Sequence, residues 1–353
     1  CCLRSPRPRT YVDAGRVLQG RYIEEGGRGD TVAPRVSMET LAKAAYWYYV
    51  QDLSQKQVAR RLGTSQSNVS RLMRSAREQG VVTFDISYPI HRELDLEDEL
   101  RSAFDEFGVR DVVVSQSFSE THASGDSQAE MMSLARSGAE WIQDNVVDHD
   151  TLALFWGTTV KAMVDVARFD RRIDAHVVQL AGEWSVDPGL SGHNLVRDLA
   201  DKMGGRYSYF NAPAVAASAE EADALLSTPE VKRSLEFARQ ANVAFLGIGS
   251  FPTDTTRTFL DLAGATKAEV SEANKKKVVG QFAGRFYDVN GEQVDLAIHR
   301  RLVSLDLADV RRIPTIATIA HGKGKAAAVR AAIHGGLIDV LIVDPDLGRS
   351  LLT

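Results

Sequence analysis

From Gly108 onward, short β-branched runs alternate with helical stretches, and this alternation leaves the chain few possible architectures. The strand candidates are Asp111 to Ser115, Thr151 to Trp156, Val177 to Leu180, Asn242 to Leu246, Thr315 to Ala320 and Val340 to Val343. They are continuously apolar, as in strands covered on both faces. Parallel neighbours need a crossover long enough to hold a helix, so the expected fold class is α/β, with a mainly parallel sheet over residues 109–353.

The preceding part has no such alternation. Residues 39–51, with Leu41, Ala44, Ala45, Tyr48 and Tyr49, have helical spacing; Ser54 to Leu62 and Ser65 to Gln79 form two more helices, and Val81 to Ser87 a short strand. Several independent steric demands agree here. Ala59 is small where two helices cross, Gly63 supplies the turn, and Val69 and Leu72 face inward. Ser54 with Gln57 makes a capping box, and Thr64 or Ser65 caps the next helix. The expectation is an all-α, winged helix-turn-helix domain over residues 38–90. In that motif the third helix enters the DNA major groove, with Gln66, Ser67, Asn68 and Arg71 at the base edges. Lys56, Arg60, Ser70 and Arg74 are better placed for phosphates. A bare helical hairpin with a solvated face is the bland alternative.

Charge supports the same division. Residues 38–90 carry 7 Lys/Arg against 4 Asp/Glu, or +3, whereas residues 91–353 carry 28 against 39, or -11. Only the small unit suits a polyanion, and double-stranded operator DNA is its expected partner. Between the two, residues 91–108 read as a linker helix whose apolar positions Leu96, Leu100, Ala103 and Phe107 suit a connector or dimer contact, or packing on its own domain. Residues 1–37, rich in Arg, Gly and Pro and with no Met before Met38, read as disordered or as an overextended start. No apolar run approaches the roughly 20 residues of a membrane-spanning helix. The two cysteines, Cys1 and Cys2, offer neither a disulfide framework nor a metal site. A cytoplasmic protein is expected.

Three strand-to-helix junctions in the sheet domain carry glycine. Trp156 leads into Gly157-Thr158-Thr159, Leu246 into Gly247-Ile248-Gly249-Ser250, and Ala320 into His321-Gly322-Lys323-Gly324-Lys325. Ligands of open parallel sheets bind beyond the strands' carboxyl ends, where glycine lets backbone N–H groups approach an anion. Each loop alone is also what chain reversal requires. Neither nucleotide fingerprint is complete: the lysine loop lacks the trailing Ser/Thr of a P-loop, and Gly247-Ile248-Gly249 lacks the third glycine of a dinucleotide site. No cofactor is expected. A small phosphate-bearing ligand fits better.

The runs Ala44-Ala45-Tyr46-Trp47-Tyr48-Tyr49, Leu53-Ser54-Gln55, Val58-Ala59, Leu62-Gly63, Val69-Ser70-Arg71-Leu72 and Ala76-Arg77 through Gly80-Val81-Val82 resemble the DNA-binding part of the SorC family of sugar-binding transcriptional regulators. The likeness continues through Gly157-Thr158-Thr159, Gly247-Ile248-Gly249, Gly280 to Gly291 and Gly322 to Lys325. It implies a bacterial regulator with an effector domain similar to phosphosugar isomerases, acting as a homodimer or homotetramer without catalysis. The implied roles are phosphate contact at Thr158, Thr159 and Lys325, backbone contact at Gly249, and Asp288 near sugar hydroxyls. Gln281, where the family often has an acid, and His321, where it often has glycine, depart from the pattern. Lys325 has two further readings, a Schiff base with an aldehyde sugar or plain exposure. The alternative function is a phosphosugar isomerase-like enzyme with a DNA-binding appendage, for which Asp288, His299 and His321 are the available acid–base groups.

Overall fold

The computed structural model describes residues 36–83, 92–116, 127–183, 191–252, 256–257, 259–260 and 263–353. The chain separates into two compact units, Cys1–Tyr88 and Pro89–Thr353.

In the first unit, α1 (Met38–Ala45) continues into a π-helical turn, Tyr46–Val50, which sequence periodicity did not indicate. Helix α2 (Gln55–Leu62) starts at Ser54, where both halves of the expected capping box with Gln57 are formed, and ends at Gly63 in the left-handed region, φ +64°. Helix α3 (Gln66–Glu78) is capped by Ser65 rather than Thr64. Leu41, Ala44, Val58, Ala59, Val69, Leu72, Met73 and Ala76 form the core between the three helices. Residues 81–83 are not in a strand, and the rest of the expected wing lies outside the described residues, as do residues 1–35.

The second unit begins with α4 (Leu94–Phe104), followed by β1 (Asp111–Val114), α5 (Ser127–Asn145), β2 (Thr151–Leu154), α6 (Thr158–Val166), β3 (His176–Gln179), α7 (Gly192–Met203) and β4 (Arg206–Ser208). Next come α8 (Ala219–Ser227), α9 (Pro229–Arg239), β5 (Val243–Gly247), β6 (Gly249–Ser250), α10 (Lys267–Lys275), β7 (Gly280–Phe282) and β8 (Arg285–Tyr287). The chain closes with α11 (Leu307–Val310), β9 (Thr315–Ala320), α12 (Ala326–His334), β10 (Val340–Val343) and α13 (Pro345–Leu351). The described strands form a seven-stranded sheet in the order β1-β10-β9-β5-β2-β3-β4, and β6-β7-β8 form a small antiparallel sheet. All the pairings within the large sheet are parallel.

Both faces of that sheet are covered. Val340 and Ile342 belong to one buried cluster with Trp141, Val160 and Leu199 from α5, α6 and α7. On the opposite face Leu341 and Val343 belong to a second with Leu100, Leu235, Val329 and Leu347 from α4, α9, α12 and α13. The two-sided burial is why these strands read as continuous apolar runs.

Of the two expectations for the helix after residue 91, packing on its own domain is the one observed. Leu96, Leu100 and Phe104 of α4 are buried in the core of this unit, so the apolar seam is spent on the chain's own domain. Glu97 on the same helix is buried, bonded to both Nε and Nη2 of Arg92 at 2.6 and 2.7 Å and to the Val114 backbone N–H at 2.8 Å. A bidentate guanidinium and a strand amide compensate the desolvation of its carboxylate.

Candidate functional site

The strand order places the three glycine junctions side by side. Strands β2, β5 and β9 are consecutive neighbours at the middle of the sheet. From β2 the chain winds outward through β3 and β4; from β5 it winds the other way through β9 and β10. The reversal lies between β2 and β5, and helices α6 and α12, which follow β2 and β9, cover opposite faces. Such a reversal opens a crevice at the carboxyl ends of the strands.

Around it the glycines divide. An added Cβ would meet nothing within 4 Å at Gly157, Gly322 or Gly324, so all three border open space. Gly247 is nearly as open, with only a carbonyl oxygen 3.7 Å away. Gly249 is different, because an added Cβ would lie 2.8 Å from Gln281 Cγ, its partner in the antiparallel pair. Packing alone requires glycine there. Gly157 starts α6 in extended conformation with no side-chain cap, leaving first-turn N–H groups without an intrahelical acceptor. Thr158 beside it is exposed, whereas Thr159 is buried.

On the far side of the crevice, Lys323 to Lys325 form one 3-10 turn leading into α12. Lys323 is exposed and Lys325 half-buried. Desolvation pushes the Lys325 ammonium down to about 8, against the pull of Asp344. The turn is held from two directions. Asp344 accepts from the Gly322 N–H at 2.5 Å, and the Ser250 hydroxyl donates to the Gly324 carbonyl at 3.2 Å. Ser250, expected at the ligand, thus buttresses the lysine turn.

Asp288 holds a turn of its own. Its Oδ1 accepts from the Asn290 and Glu292 N–H groups at 2.9 and 3.1 Å, closing a turn whose Gly291 backbone lies against Gly335. Gly335 follows the end of α12, about 13 Å of helix from Lys325. That turn occupies one oxygen of the carboxylate. His299 is buried; its Nε2 accepts from the Phe286 N–H at 3.0 Å, and burial drives its pKa to about 3. It is a neutral structural group, remote in role from acid–base work.

Sequence reasoning missed Asp344 and Gln179. Asp344 sits directly before Pro345, a helix-start signature that was readable. Gln179, at the end of β3, is buried; its Oε1 accepts from the Phe210 N–H at 3.2 Å and its Nε2 has no hydrogen-bond partner among the described residues. Nothing in a single Gln within an apolar run signals this.

In the first unit, Lys56, Arg60, Gln66, Ser67, Ser70, Arg71 and Arg74 are exposed and Asn68 half-buried. Ser67, Ser70, Arg71, Arg74 and Arg77 share the side of α3 opposite the buried Val69, Leu72, Met73 and Ala76. Arg77 extends the expected cationic stripe by a turn. Arg61 is held apart, 5.5 Å over the Trp47 ring and bonded to Gln51 at 3.0 Å.

Residues 88–353 match the family described as "Putative sugar-binding domain", and residues 45–79 match region 4 of sigma-70, a DNA-binding module. The sorbitol operon regulator of Klebsiella pneumoniae is 26% identical over 316 residues, covering 88% of this chain and 97% of that protein. Its full-length crystal structure, SorC, superposes with a TM-score of 0.66 at 25% identity, covering 90% of this chain and 99% of that one. The chain belongs to the SorC family of sugar-binding transcriptional regulators. A further relative of this SorC-family chain, the deoxyribonucleoside regulator of Bacillus subtilis, is 29% identical, over 90% of this chain and 98% of that protein. These relatives carry the names of regulators rather than enzymes, so the isomerase alternative is not favoured. No helix among the described residues is long and apolar enough to cross a membrane.

Proposed function

We propose that this SorC-family regulator controls genes of carbohydrate metabolism, with an operator affinity set by a phosphorylated sugar held between the threonine loop and the lysine turn. The observation that carries the reading is the crevice where open space at Gly157, Gly322 and Gly324 meets the depressed ammonium of Lys325. A phosphate there accepts from the free N–H groups at the start of α6 and from the Thr158 hydroxyl, and returns a counter-charge to Lys325. Lys323 adds charge at the rim. The names of the relatives, a sorbitol operon regulator and a deoxyribonucleoside regulator, support a carbohydrate ligand.

Residues 38–90 form the DNA-binding domain in this reading and residues 109–353 the effector domain. Gln66, Ser67, Asn68 and Arg71 read bases, while Lys56, Arg60, Ser70 and Arg74 hold phosphates. A homodimer or homotetramer then reads a palindromic operator. Effector binding acts by favouring one arrangement of the paired DNA-binding domains.

Thermal melting with a panel of sugar phosphates and their unphosphorylated parents tests the ligand class. At 100 times the dissociation constant a ligand adds about 2.7 kcal/mol of stability, a readily measured rise. Stabilisation by the phosphates alone supports the reading; stabilisation by the parent sugars alone removes the phosphate from it. A lysine of pKa about 8 also favours Schiff-base formation with an aldehyde sugar, which borohydride reduction would trap as a mass increase on Lys325.

A further inference from the structure

The lysine turn, which follows β9, is tied towards the β1 edge of the sheet through one buried carboxylate. Asp344 is 3% exposed and uses its two oxygens on different elements. Oδ2 takes the Gly322 N–H at 2.5 Å, and Oδ1 takes the Leu347 N–H at 3.0 Å, capping α13. Gly322 has φ +92°, so that turn occupies a conformation few side chains tolerate and depends on its hydrogen bonds.

Helix α13 in turn lies on α4. Gly348 lies against it: an added Cβ would stand 3.2 Å from Leu96 Cδ2 and 3.3 Å from Leu100 Cδ1. At the same junction Arg349 pairs with Glu93, the N-cap residue of α4, at 2.7 Å. The lysine turn, Asp344, α13 and α4 are thus joined by two backbone-to-carboxylate bonds, a glycine-mediated helix contact and an ion pair.

We infer that Asp344 is the positioning residue of the lysine turn and that, through α13, it couples the state of that turn to α4. The inference rests on the effector reading for its purpose, since it gives that ligand a route to the first helix after residue 91. The coupling itself is a property of the free protein. It can therefore fail while the effector reading stands.

Hydrogen exchange on the full chain without ligand tests it in both directions. Asp344→Asn offers one acceptor oxygen where the carboxylate has two, so the Gly322 and Leu347 amides compete for it. Exchange at Gly322 should rise about tenfold or more, as expected for losing a bond to a charged group, and the amides of α4 should follow by several-fold. Gly348→Ala presses on Leu96 and Leu100 from the other end and should speed exchange at the Gly322 amide. In both variants the β2 amides Leu152 to Leu154 should keep their protection. Changes confined to the substituted end overturn the coupling, as does equal acceleration through β2, which reports only lower global stability. Should Asp344→Asn fail to fold, Gly348→Ala decides alone.

Discussion

The side-chain amide of Asn68 donates to the Thr64 hydroxyl at 2.9 Å, joining the first turn of α3 to the residue just before its cap. This bond fixes the orientation of a side chain assigned to base reading. If Asn68 reads a base in that orientation, Thr64→Val and Asn68→Ala should be coupled in operator binding by about 0.5–1.5 kcal/mol, one hydrogen bond's worth. A double-mutant cycle on the promoter fragment measures it. Zero coupling would mean that Asn68 serves only the turn.

Arg71 and Arg74 should separate by kind of loss. Arg71→Ala is expected to cost about 1–3 kcal/mol on the specific operator and little on unrelated DNA. Arg74→Ala should weaken both equally and lower the slope of log affinity against log salt by about 0.9. Titrations at several salt concentrations on both DNAs distinguish the two. Neither change should alter effector affinity, because both residues lie in the other unit.

Lys325 gives the effector site a pH signature. Its free ammonium titrates at about 8, and a bound phosphate would raise that value, so binding above pH 8 takes up a proton. Affinity for a sugar phosphate should be level between pH 7 and 8, where the phosphate is already mostly dianionic, and then fall by up to about tenfold per pH unit. Calorimetric titration checks this, and Lys325→Met should flatten the profile while lowering affinity throughout.

His299 predicts the acid limb of stability. Its imidazole is held neutral, with a pKa near 3 against an ordinary 6.5, chiefly by burial and then by Arg285 and Lys276. The unfolded chain takes the proton first as pH falls, so stability should decline from about pH 6.5 towards 3, by at most about 1.4 kcal/mol per pH unit. His299→Gln keeps an acceptor for the Phe286 N–H and removes the titration. Urea midpoints at pH 7 and 5 should differ less in the variant than in the native chain.

The strands of the large sheet that sequence reveals are those buried on both faces, because their apolar runs have no other explanation. β4, an edge strand of Arg206 to Ser208, and the two- and three-residue strands β6 to β8 carry too few residues for any period to register. The caps at Ser54 and Ser65 were legible because hydrogen-bonding side chains at helix starts are chosen locally. The convergence of Gly157 and Lys325 was not, since it depends on β2 and β9 flanking β5, an order no local spacing encodes. Asp288 is the complementary case: a carboxylate closing its own turn and one awaiting a ligand look alike in sequence. The seam of Leu96 and Leu100 was equally ambiguous, as an apolar stripe does not name the surface it meets.

Operator affinity measured with and without a stabilising sugar phosphate, at fixed salt, for the native chain and Lys325→Ala, tests effector control most directly. Effector control predicts a ligand-dependent change of about 5- to 150-fold in the native protein, in either direction. In Lys325→Ala the change should be lost while affinity without ligand is retained. An operator affinity that the ligand leaves untouched in the native protein, although it binds, would contradict it.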